Sequence, residues 1–290
     1  MLRRCTAMRW LTMVKQHISC VFALLLFTTG LAHFPASAAP SMAPVGVHYA
    51  DFAALALPAE IVAKVRVLEV IEVKPTTEAE RVPNHLRLYV NAQIEALIKG
   101  AQETPKQVSF LVDVPLDAHG HAPKIKKSAQ LIFARAVLGR SGFVQLNAPD
   151  AMLDWSDERE SLARSILVAK AATDSPPHVT GIDTGFSVAG TVAGERGTQI
   201  FLRTDSRPVS LTISHHPGEA TQWSVALGEI ADHGVPPPPP NTLLWYELAC
   251  MLPAHYPDAK LSGQTEEAAG AIRTDYDFVV QSLGPCERGR

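Results

Sequence analysis

Cysteine is scarce in this 290-residue chain: there are four, at positions 5, 20, 250 and 286. None sits in a Cys-x-x-Cys pair, the spacing that a zinc ribbon or a thioredoxin-like redox site requires. Neither Ser210 nor Ser214 stands in a Gly-x-Ser-x-Gly elbow, and no Gly-rich Lys-terminated loop is present to cradle a phosphate. Positive charge is also in short supply. Lys and Arg number 26 against 29 Asp and Glu, and the first 38 residues hold four of the basic residues and none of the acidic ones. The remainder therefore carries 22 against 29, a formal charge of −7. A surface of that sign disfavours nucleic acid and anionic membrane as partners. The one local exception, PKIKK at 123–127, reads as a solvated loop.

A long apolar run is missing as well. The stretch CVFALLLFTTGLA is interrupted by Thr28, Thr29 and Gly30 and falls short of the roughly 20 residues a membrane span needs. Arg3, Arg4, Arg9 and Lys15 precede it and Ala36-Ser37-Ala38 follows, the charged, apolar and small-residue order of a secretory signal peptide over residues 1–38. The expected location is the periplasm or the exterior. Cys5 and Cys20 leave with the signal, and in an oxidising compartment Cys250 and Cys286 are expected to pair. By chain entropy such a bond contributes roughly 4 kcal/mol at most.

What is present argues for folded cores. Apolar residues make up 47% and charged ones 19%, outside the composition of disordered chains. In HLRLYVNAQIEALIKG, from His85, Leu86, Leu88, Val90, Ala92, Ile94, Ala96 and Ile98 alternate with polar residues. A period of two held this long predicts a half-buried strand, bent or bulged to follow a barrel. Further strands are expected in EIVAKVRVLEVIEV, QVSFLVDV, AQLIFARAV and GFVQL, the last two joined as a hairpin through LGRS.

The order DFAALALPAEIVAKVRVLEV, a long strand ending in Lys99-Gly100, QVSFLVDV, then AQLIFARAV and a hairpin resembles the netrin or tissue-inhibitor-of-metalloproteinase type of OB barrel. The resemblance covers residues 45–155 and implies a five-stranded barrel. Inhibitors of that family chelate the target's zinc with an amino-terminal cysteine. Here the chain after the signal starts near Ala39-Pro40-Ser41 and has no cysteine in the barrel region, so metalloproteinase inhibition does not carry over.

A helix is expected in WSDERESLARSILVAKAA, N-capped by Ser156 with Asp157 and Glu158 in its first turn. Asp174-Ser175-Pro176-Pro177 ends it, making 156–177 a helix and linker. Residues 178–290 are read as a second β-rich domain, with strands in GTQIFLRT, PVSLTIS and TQWSVALGEI and a stiff connector in the five prolines of 236–240. The segment NTLLWYELACML is compatible with strand or helix. In the tail, Ala269, Ile272, Tyr276, Val279 and Leu283 make one helical face that stops at Gly284-Pro285. The fold class is thus mainly β (α+β): an OB-like barrel followed by a second β-rich domain with a C-terminal helix.

Candidate chemistry is thin. Asp183-Thr184-Gly185, within HVTGIDTGFSVAG, has the residue types of an aspartic-protease turn. That mechanism needs two such aspartates sharing a proton, and bulky Phe186 follows the glycine, so the triplet reads as a turn before a strand, with Asp183 kept as the one candidate catalytic residue. Asp117, His119 and His121 share a loop and His215-His216 are adjacent; neither set forms a persuasive metal site. The expectation is a periplasmic or secreted non-enzymatic protein without cofactor or metal, binding an extracytoplasmic protein or small ligand, and neither nucleic acid nor, after signal removal, membrane. The rival class is a hydrolase whose acid and base converge in space from Asp183, Asp205, Glu229 or the histidines.

Overall fold

The computed structural model describes residues 48–74, 77, 82–228 and 234–287. The signal segment and Glu229 lie outside them. Pro44–Arg290 forms one compact unit. In chain order its elements are α1 (Tyr49–Ala56), β1 (Ile61–Glu72), β2 (His85–Lys99), β3 (Gln107–Pro115), β4 (Ala129–Ala136), β5 (Val144–Leu146) and β6 (Met152–Asp154). There follow α2 (Asp157–Ala171), β7 (Val179–Ala189), β8 (Arg196–Thr204), β9 (Val209–His215), β10 (Gln222–Ala226), α3 (Leu243–Ala249), a 3-10 turn (Asp258–Leu261) and α4 (Glu266–Leu283). The protein is mainly β, with two antiparallel sheets and a C-terminal helix. None of the described helices is long and apolar enough to cross a membrane.

The first sheet runs β3-β2-β1-β4-β5, with β6 also paired to β4. The β1–β2 ladder slips at three places, between Val62/Ala63, Lys64/Val65 and Val67/Glu69, and such bulges bend and coil a strand. The inner face of the coiled sheet buries Ala63, Val65, Val67, Val90, Phe110 and Ile132, the residues that alternation assigns inward. The sheet does not close into a barrel, which corrects the expectation from sequence. β3 and β5 approach in parallel through one isolated bridge, Ser109 to Phe143. β5 is three residues long, and after Asn147, whose N–H still bonds Phe133 O, the chain turns through Pro149 toward β6, leaving too little strand to form a ladder with β3.

The opposite faces of β1 and β4 contribute Val62, Leu131 and Phe133 to a second core. This core also takes in Phe52 and Leu55 of α1, Ala163 and Ile166 of α2, and the inward faces of β7–β10. The second sheet is ordered β10-β9-β8-β7. α4 packs across it with the anticipated stripe, Ala269, Ile272, Tyr276, Val279 and Leu283, all buried. Each longer helix starts where a hydroxyl side chain satisfies an otherwise unbonded N–H: Ser156 accepts from Arg159 N, and Thr265 from Ala268 N. Gly284 ends α4 at φ 74°, in the left-handed region open to glycine. The ambiguous NTLLWYELACML forms α3, capped by Thr242, and the prolines lead from Val235, bridged to Val225 of β10, into that cap.

Candidate functional site

Most of the sequence candidates occupy structural roles. Asp183 lies inside β7, not on a turn: Thr184 and Gly185 pair with Phe201 and Ile200, and Asp183 is the extra residue at a register shift. The glycine has a packing reason, because a Cβ there would sit 2.9 Å from the Tyr256 hydroxyl. Burial raises the pKa of that phenol, and the Asp183 charge adds to the effect. Asp117 Oδ1 accepts the backbone N–H groups of His119 and His121, each at 2.8 Å. Those bonds hold its carboxyl below the usual range and shape the loop. Asp205 accepts the His178 N–H at 3.0 Å, and Ser210 lies buried 3.4 Å from Gln199 Nε2. Among the described residues no three His, Cys, Asp or Glu side chains are grouped as metal ligands.

His215 ends β9 and His216 lies just past it, and the two have different partners. His216 Nδ1 is 3.8 Å from Glu195, whereas His215 Nε2 is 2.7 Å from Asp275 Oδ1. Asp275 is fully buried on α4. Its carboxylate also receives Arg196 Nη2 at 2.8 Å and the Thr198 hydroxyl. Thr221 Oγ1 lies 3.2 Å from His215 Nδ1. A second buried carboxylate, Glu247 of α3, accepts Val179 N–H at 3.0 Å and lies 2.9 Å from His178 Nδ1. Asp275 and Glu247 were missed in the sequence. Their signal was a carboxylate on the apolar side of a helix, where a charge survives only with partners.

A concave site opens where the first sheet fails to close. It is a slot of about 770 Å³ lined by Leu111 and Asp113 of β3, Val144 and Leu146 of β5, and Arg140 and Phe143 of the β4–β5 hairpin, within the size range of ligand pockets. The direction of its backbone groups follows from the pairing. Ile94 N–H donates to Lys106 O and Leu116 N–H to Asn84 O. In the register Leu88↔Val112 and Val90↔Phe110, the even-numbered residues of β3 therefore bond β2 and the odd-numbered ones face away. Ser109 N–H, which reaches Gly142 O at 2.8 Å, confirms the direction. By the same reasoning Phe143 and Asn147 bond β4, so the backbone of Leu146 faces the slot. Apart from that bridge, no ladder joins β3 to β5.

The side chains around the slot are mixed. Arg87 and Asp113 form a two-point pair at 2.8 and 2.9 Å, which holds the Asp113 carboxyl below its ordinary range despite partial desolvation. Leu111 is 53% exposed. The Arg140 guanidinium sits 6.0 Å from the Phe143 ring centroid, and it makes no ion pair among the described residues. No protein-family model matches the chain, and no curated protein is similar to it.

Proposed function

We propose that this is a periplasmic or secreted binding protein without catalytic activity, whose ligand, a protein segment or a small molecule, enters the slot between β3 and β5. The slot itself carries the reading: a concave site of about 770 Å³ with a mixed apolar and polar lining. The strand order and the parallel approach of β3 to β5 support an OB-like description of the first sheet, and in OB folds the sheet and its 4–5 loop form the binding surface. Here the loop between β4 and β5 supplies Arg140 and Phe143. The netrin-type resemblance belongs to the same proposal, without its zinc-chelating inhibition. Export rests on the signal-like residues 1–38 and is compatible with the disulfide joining Cys250 and Cys286, whose Cα atoms are 5.1 Å apart.

The test is amide-resolved NMR of the exported protein titrated with a set of dipeptides, monosaccharides and aromatic acids. Shifts concentrated on Leu111, Asp113, Phe143 and Leu146, and weakened in Phe143→Ala, support the reading. Shifts that cluster elsewhere refute it.

One observation favours the rival hydrolase: Thr221, His215 and Asp275 form a hydroxyl–imidazole–carboxylate string, the arrangement that activates a nucleophile. Against it stands Arg196, whose Nη2 lies 2.9 Å from His215 Nε2. A guanidinium there opposes the imidazolium that general-base catalysis must form. A hydrolytic screen in which turnover is lost in His215→Ala or Asp183→Ala would move the balance to the hydrolase.

A further inference from the structure

We infer that the five prolines of 236–240 are a docking ligand as well as a connector: a preformed polyproline helix, presented at the surface, that is read by an aromatic-lined groove on a partner protein. This surface shares no residue with the slot. Three observations carry the inference. First, covalent chemistry fixes the conformation. Each ring holds φ at about −65°, and a proline that precedes another is kept out of the α region. Pro236 to Pro239 are therefore extended in the polyproline manner, and Asn241, at φ 62°, ends the run. Second, both ends are tied. Val235 exchanges two backbone hydrogen bonds with Val225 of β10, at 2.9 and 2.8 Å, and Pro239 O accepts the Thr242 hydroxyl at 2.8 Å where α3 begins. Third, exposure follows the period of the helix. With three residues per turn, Pro236 and Pro239 share one edge, Pro237 and Pro240 the next, and Pro238 lies on the third. Pro238 is half-buried and the other four are exposed. Two adjacent edges are thus offered to solvent while the third is set against the protein.

The chemistry of the run selects its partner. It carries no charge and no backbone N–H, so neither ion pairing nor addition to a sheet is open to it. It offers pyrrolidine faces on two edges, and carbonyl oxygens that no hydrogen bond within a polyproline helix consumes. Tyrosine and tryptophan rings spaced to straddle the two edges, with a phenol or indole donor aimed at a carbonyl, match both features. Because the run is tied at both ends, little chain entropy is lost on docking.

The probes are two domains with aromatic polyproline grooves, a WW domain and an EVH1 domain. Each is titrated into the full chain and, separately, into the free peptide of residues 234–242. Binding is followed by calorimetry and by the amide signals of Val235, Asn241 and Thr242. The expected result is that at least one domain binds the chain no more weakly than the peptide and shifts those amides, leaving Leu111 and Phe143 of the slot unmoved. Replacing both prolines of an exposed edge, Pro236→Ala with Pro239→Ala or Pro237→Ala with Pro240→Ala, should weaken binding about tenfold or more. Pro238→Ala, which softens the run equally but alters the covered edge, should cost less than about threefold. Where a double variant lowers the melting temperature, the single changes Pro236→Ala and Pro237→Ala, farther from the α3 cap, still decide. A domain that binds the peptide but not the chain would show the run to be masked and overturn the inference, as would binding of neither domain. Equal losses at Pro238 and at the exposed edges would overturn it too. Signals of Val235 and Asn241 that shift with concentration in the chain alone would make a second copy the occupant and refute a separate partner.

Discussion

Asp275 of α4 and His215 of β9 meet at 2.7 Å across the interface between the helix and the second sheet, and Arg196 and Thr198 of β8 reach the same buried carboxylate. The helix is thereby fastened by a charge in the middle of its apolar stripe, flanked by Ile272, Tyr276 and Val279. Removing one member of a buried charged network costs more than the network contributes net, because its partners are left without compensation.

Asp275→Ala should accordingly lower the unfolding free energy by about 3–5 kcal/mol, and Asp275→Asn, which keeps the shape and some of the hydrogen bonds, should cost less. Urea unfolding followed by tryptophan fluorescence measures both. A change in midpoint no larger than that of an exposed substitution such as Asp258→Ala would show that the network is not a fastening.

Gly185 is explained by the Tyr256 hydroxyl, which a Cβ would approach to 2.9 Å. That hydroxyl is buried without a hydrogen-bond partner among the described residues, and its ring packs edge-on against Tyr276 at 5.6 Å, so it has little room to retreat. Gly185→Ala should destabilise the protein by about 1–3 kcal/mol through overpacking. Gly185→Ala in a Tyr256→Phe background should recover part of that loss. An unchanged melting temperature in the single variant would contradict this account of the glycine.

The acid limb of stability should carry a contribution from Asp113. Its carboxyl is held low in the folded state by the Arg87 hydrogen bonds, and its unfolded value is about 3.9. A depressed folded value means that the contribution is complete above the unfolded pKa and is lost as pH falls through the folded one. The stability gap between the wild-type chain and Asp113→Asn should therefore be constant from pH 7 to pH 5 and shrink below about pH 4. Urea midpoints at pH 6 and pH 3 check this; a gap that widens toward acid would contradict the sign.

The parts of the fold legible in the sequence are those in which one local period decides. The alternation from Leu86 through Ile98 returns as β2, and the five-residue apolar face of the tail returns as the buried face of α4. The seven residues of α3 span two turns, too short for a helical period to separate from a strand. β7 was obscured because its bulge at Asp183 shifts the alternation by one, so Asp183 and Thr184 are both exposed and the triplet mimics a turn. α1 went unrecognised, its alanines and Phe52 carrying no cap signal at His48. The slot was invisible for a different reason. It arises from a ladder that fails to form between strands about thirty residues apart, and no residue type marks the absence of pairing. The carboxylate partners of His178 and His215 lie 69 and 60 residues downstream, and only the packing of α3 and α4 on the second sheet brings them there.

The Cys250–Cys286 bond joins the C-cap of α3 to the segment just beyond α4. Trp245 Nε1 donates to Leu283 O at 2.8 Å beside it, and Trp223 Nε1 reaches Ser282 Oγ at 2.7 Å. Both cysteines pack against the core that also contains Phe133 of β4 and Phe52 of α1. Breaking the bond relaxes the unfolded chain and should cost about 2–4 kcal/mol. Because the core is continuous from the first sheet to the second, Cys286→Ser should lower a single melting transition for the whole unit rather than separate two. Calorimetry with the far-ultraviolet and tryptophan signals recorded in parallel distinguishes the outcomes. Coincident curves shifted down together are expected; a retained high-temperature transition assigned to β1–β5 would mean that the first sheet holds its structure without α4.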